Sequence, residues 1–194
     1  MISGAKVLAS ADTLSPVAIK NGINLSYSKY STYPLWIPWI FSGLPNVHSL
    51  LNVSYSYYPH QIISFIINTI QLPWIWNFMF HFIFGGIGMY KFLKFLKISQ
   101  FSSFIISFSF MIMPYMIVMT VHGHGSQMMT ACFIPWIMLF LFKLVNKWDI
   151  THFSILALLI GLQLQRGHIQ IAYYTWMMVG LYLFVNILDN LIYN

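Results

Sequence analysis

From Ile98 to Phe142 the chain carries no lysine, arginine, aspartate or glutamate, and the same holds from Tyr30 to Tyr90. Segments of that length, folded in water, would need a charged cover that they do not own. A hydrocarbon solvent makes no such demand. Over 194 residues only 6% are charged, against roughly a quarter in soluble domains. The expected fold class is therefore all-α and polytopic in a membrane, because a helix in lipid satisfies its own backbone hydrogen bonds. Membrane lipids are then obligatory partners. The net charge of +6 does not describe a nucleic-acid face, since the basic residues are sparse and abut apolar runs as orientation signals do. The lone Cys132 allows no intrachain disulfide. The opening "MISGAKVLASADTLSPVAIKNG" lacks the apolar core of a cleavable signal.

Two regions follow from this pattern. Residues 1–72 form an external segment with interfacial helices: polar at the start, then rich in Pro, Trp, Tyr, Ser and Asn, with a short apolar helix near 61–70. Residues 73–194 form a transmembrane bundle of about five spans, at about 73–96, 101–121, 127–146, 150–165 and 169–190. Pro73 suits a helix start, and Pro114 is a kink that a membrane helix tolerates. Lys91, Lys94 and Lys97 lie between the first and second spans, and Lys143 and Lys147 between the third and fourth. The positive-inside rule puts those loops in the cytoplasm. The N-terminal segment with Asp12, the loop "HGHGSQ" at 122–127 and the loop "QRGH" at 165–168 then share the external face.

Several ordered blocks resemble one family. "PLWIPWIFSGLP" (Pro34–Pro45) followed by "YYP" (Tyr57–Pro59) is similar to the W-x-P-x-x-F-x-G-x-P … Y-P pattern of the YfhO-like bacterial membrane proteins. "GHGSQMMTACFIPW" (Gly123–Trp136) and "QLQRGHIQIAYY" (Gln163–Tyr174) resemble two further blocks of that family in the same order, and "ADT" (Ala11–Thr13) resembles the start of its first external loop. The resemblance implies a glycosyltransferase of GT-C architecture in the bacterial cytoplasmic membrane. Such an enzyme moves a sugar from a polyprenyl-phosphate carrier to an acceptor on the outer face. It also implies that this chain is an N-terminal piece of a longer protein, without the helix that precedes the aspartate loop in GT-C chains. A transporter or lipid-handling module, or a non-catalytic membrane fragment, is the alternative that kinked helices with polar loops also allow.

Asp12 is the expected catalytic residue. An external carboxylate can deprotonate an acceptor hydroxyl, or hold a divalent metal ion that steadies the donor phosphate; "ADTLSP" also suits a turn or helix cap. His124 matches the family's Gly-His, whereas His122 is not carried over. The pair spells H-x-H without a visible third ligand, which is weak for zinc. Gln127 stands where the resemblance implies a lysine, so a phosphate contact is missing there. Arg166 is the single arginine and pairs well with phosphate, with His168 adding a hydrogen bond. Its bland reading is an interfacial anchor whose head snorkels to the lipid headgroups. Trp36, Trp39, Trp74, Trp76, Tyr173 and Tyr174 read as interfacial anchors. The twelve methionines read as packing rather than copper ligands.

Overall fold

The computed structural model describes residues 11–31, 36–38, 42–45, 60–73 and 75–193, with side chains from Asn21 onward except at 37, 44, 45, 60–62, 64 and 193. Helix α1 (Ala11–Tyr30) comes first. The stretch read as a polar external segment is thus helical over twenty residues. Its apolar residues mark no single face, so periodicity did not announce it.

A two-residue antiparallel ladder follows. β1 (Trp36–Ile37) pairs with β2 (Leu44–Pro45), with Trp36 opposite Pro45 and Ile37 opposite Leu44. Gly43 makes the reversal at φ +132°, and a Cβ there would strike the Trp36 indole. The spacing of Trp and Gly in "WIPWIFSGLP" therefore has a local structural reason. Helix α2 (His60–Thr69) lies where a short apolar helix is expected, with Ile67 fully buried.

The bundle follows as α3 (Trp76–Phe95), α4 (Gln100–Met111), α5 (Pro114–Val121), α6 (Gly125–Ala131), α7 (Ile134–Asn146), α8 (Ile150–Gln165) and α9 (Ile169–Tyr193). Proline sets the internal breaks. Pro114 has no N–H to offer, so α4 ends before it and α5 begins on it; Pro135 is the second residue of α7, where a missing N–H breaks no helical bond. The joined stretches Gln100–Val121 and Gly125–Asn146, together with Ile169–Ile192, are long and apolar enough to cross a membrane. α8, at 16 residues, is apolar but shorter. α3 falls outside that set although a span is expected at 73–96, because Asn77, His81, Lys91 and Lys94 dilute its apolar content.

Burial ranks the helices. Within an apolar 18-residue window of each stretch, 61% of the residues are buried in Gly125–Asn146, against 11% in Gln100–Val121 and 17% in Ile169–Ile192, so α6 and α7 form the axis and those two stretches the rim. The rim exposes Phe101, Phe104, Phe108, Leu181, Phe184 and Leu191, an apolar surface that water would not tolerate and lipid does. Small residues let α3 reach the axis. A Cβ on Gly85 would lie 3.1 Å from the Cys132 side chain, and one on Gly88 would overlap the Trp136 indole. Close approach lets Trp136 Nε1 donate to the Phe84 carbonyl at 2.9 Å, with the Phe84 and Trp136 rings stacked at 5.4 Å.

Candidate functional site

Two turns meet at one end of the bundle. In the first, His122 Nδ1 lies 3.0 Å from the Val118 carbonyl, Gly123 reverses the chain at φ +90°, and His124 precedes α6. Gly125 is buried against the Phe78 ring, leaving no room for a Cβ. The start of α3 therefore abuts the start of α6. In the second turn Arg166 closes α8, Gly167 takes φ +80°, and His168 Nδ1 accepts the Ile171 N–H at 3.4 Å. "GHG" and "RGH" are thus tight helix connections in their own right, each with one glycine in the left-handed region.

Arg166 does not snorkel. It is 4% exposed, and its Nε donates to Met129 Sδ on α6 at 3.0 Å. The anchor reading needs a head in the headgroup layer, and this one is enclosed within the bundle end. His168 is half-buried. Burial lowers its pKa below the ordinary histidine value; a backbone hydrogen bond opposes the shift, and the nearby His124 adds to it. His124 therefore lies close enough to act on His168 across the two turns, and Arg166 links the second turn to α6. Gln127 points elsewhere: its amide donates to the Tyr115 hydroxyl on α5. Asp12 lies in the first turn of α1; its side chain, and with it the expected catalytic contact, falls outside the described residues. Among the described residues no three His, Cys, Asp or Glu side chains gather to hold a metal.

Beneath this end runs a polar seam that the sequence reading passed over. Gln163 is fully buried and donates to the Thr130 carbonyl at 3.3 Å and to Thr175 Oγ1 at 2.9 Å, joining α6, α8 and α9. Thr175 donates onward to the Ile171 carbonyl at 2.9 Å. On α3, Asn77 and His81 are buried one turn apart, with His81 Nδ1 2.7 Å from the Asn77 carbonyl. Helical spacing carried the signal. Asn77, His81, Gly85 and Gly88 fall on one face of α3, and Leu156, Leu159, Gln163 and Arg166 on one face of α8. Polar residues within apolar helices belong on the inner face.

The described residues form a mostly helical bundle with three helices long and apolar enough to cross a membrane, as an all-α membrane protein has. No family model, curated protein or solved structure matches the chain.

Proposed function

We propose that this chain is a GT-C-type glycosyltransferase of the YfhO-like family, or part of one, which transfers a sugar from a polyprenyl-phosphate carrier to an acceptor outside the bacterial cytoplasmic membrane. The observation that carries the reading is the buried Arg166 guanidinium, held against α6 at the end of the bundle where His124 and His168 also lie. Those residues come from two of the ordered blocks that resemble the family.

In this reading α3, α4–α5, α6–α7, α8 and α9 are the five spans. The turns at 97–99 and 147–149, flanked by Lys94, Lys97, Lys143 and Lys147, face the cytoplasm. The turns at 122–124 and 166–168 face outward, as does Asp12. Arg166 supplies a fixed positive charge to the donor phosphate, which stabilises the leaving group as the sugar departs. His168 and His124 add hydrogen bonds at the same end. Asp12 takes the proton from the attacking acceptor hydroxyl, or holds a divalent metal ion on the donor phosphate. Gln127, engaged with Tyr115, leaves no cation where the resemblance implies a lysine.

The test is transfer of radiolabelled sugar from defined polyprenyl-phosphate donors by membranes holding the full-length protein. Asp12→Asn is expected to abolish transfer. Arg166→Ala is expected to raise the KM for donor at least tenfold, the scale of a charge-assisted contact of about 1.5–3 kcal/mol. No transfer from any such donor, or unchanged rates in both variants, would sink the proposal.

A further inference from the structure

At the opposite end of the bundle, an open groove of about 460 Å³ lies between α3 and α4, lined by Tyr90, Gln100, Phe101 and Phe104. That volume sits within the roughly 300–1,000 Å³ range of small-molecule sites. Its walls are unequal in chemistry. Phe101 and Phe104 are 75% and 63% exposed, while Tyr90 and Gln100 are the two lining residues with polar side-chain groups.

The mouth is basic. Lys94 lies one helical turn beyond Tyr90, and its Nζ donates to the Ile98 carbonyl at 3.2 Å, which sets the ammonium beside the start of α4. Lys97 occupies the turn joining the two walls at φ +62°, where the Lys97 and Ile98 N–H groups close α3 onto the carbonyls of Lys94 and Leu93. Glycine is the usual occupant of that left-handed closing position. A lysine there is tolerated against backbone preference. Lys91, by contrast, is engaged over the Trp136 ring at 5.3 Å. No acidic residue occurs in the sequence between Asp12 and Asp149, so neither α3, α4 nor their turn supplies an anion to these lysines.

The geometry points to a site for one anionic phospholipid at the α3–α4 hairpin, with its phosphate on Lys94 and Lys97 and an acyl chain along Phe101 and Phe104. Charge complementarity selects the occupant. A zwitterionic lipid brings its own cation to a hairpin that already carries two beside the groove, whereas an anionic headgroup brings the missing charge. The apolar walls select a lipid over a free phosphate, because a small anion gains nothing from two phenyl rings. Gln100 donates from its amide to the phosphate, and the first free N–H groups of α4 add their dipole.

Native mass spectrometry of the purified full chain, offered dioleoyl phosphatidylglycerol or dioleoyl phosphatidylcholine, tests this. Phosphatidylglycerol is expected to be retained at least fivefold more strongly. Lys94→Gln with Lys97→Gln should reduce that retention roughly tenfold or more. Lys143→Gln with Lys147→Gln, at the other basic turn of the same end, should leave it unchanged. Phe104→Ala should weaken retention with every lysine in place. Lys97→Gly should raise the unfolding temperature while weakening the lipid, a split that a purely structural lysine would not give. Equal retention of the two lipids, equal loss in the Lys143/Lys147 variant, displacement by millimolar inorganic phosphate, or undiminished retention in Phe104→Ala would each overturn the site.

Discussion

At the scale of single residues, the fold disfavours protonation of His168. Burial is the main cause, and His124 across the two turns contributes in the same sense. The folded protein therefore binds fewer protons at this position than the unfolded chain does. A base with a lowered folded pKa adds stability that is fully present above its unfolded value of about 6.5 and is lost as pH falls toward the folded value. Thermal unfolding in detergent should show a lower midpoint at pH 5 than at pH 7.5, and His168→Gln should flatten that dependence; an identical slope in the variant would assign the effect to other groups. Arg166 shows where residue-level reading stops. Its chemistry was plain in "QLQRGH", but burial depends on which way the end of α8 faces, and that is fixed by contact with Met129, 37 positions away in sequence. Gln127 was likewise read by its place in a motif, while its actual partner, Tyr115, lies on α5. For Asp12 the resemblance still carries the role alone.

At the scale of elements, α3 depends on the glycines of "FGGIGMY". Gly88 faces the Trp136 indole so closely that any Cβ overlaps it, and that indole also bonds the Phe84 carbonyl. Gly88→Val must therefore push α3 away from α7 or drive the tryptophan from its place. A destabilisation of about 1–3 kcal/mol is expected from overpacking of this kind, read as a shift in the denaturant midpoint of the detergent-solubilised protein. Gly161→Ala on the exposed face of α8, where a Cβ meets nothing within 4 Å, is the control and should be neutral or slightly stabilising. If both variants behave alike, the close approach of α3 to α7 is not what holds it. The turns at 122–124 and 166–168 were legible from their glycines, since Gly123 and Gly167 reverse the chain; Pro114, expected as a kink within one span, instead separates α4 from α5, and the caps on Ser99 and Asp149, which accept the N–H groups of Ser102 and Thr151, were not read. α1 was not legible, since a helix whose apolar residues form no stripe leaves no period to detect.

At the scale of the whole molecule, the bundle separates two kinds of turn. One end carries Lys94, Lys97, Lys143 and Lys147 with the groove between α3 and α4; the other carries His122, His124, Arg166 and His168 with the polar seam beneath them. The two proposed activities sit at these opposite ends and make separable demands on orientation. Sugar transfer from an exported carrier needs the histidine end outside. A phosphatidylglycerol site can work on either side. Cysteine labelling decides the orientation because the native Cys132 is fully buried and gives little background. His122→Cys and Trp148→Cys each place a thiol at an exposed position without altering a lysine. With a membrane-impermeant maleimide, His122→Cys should label in intact cells, and Trp148→Cys only after permeabilisation. The reverse pattern would place Arg166 in the cytoplasm and rule out transfer on the outer face while leaving the lipid groove standing. Labelling of both in intact cells would show that the turns at 122–124 and 147–149 share a side, and the five-span arrangement would fall. That arrangement rests on α6–α7, the most buried stretch of the bundle, crossing the membrane once between those turns.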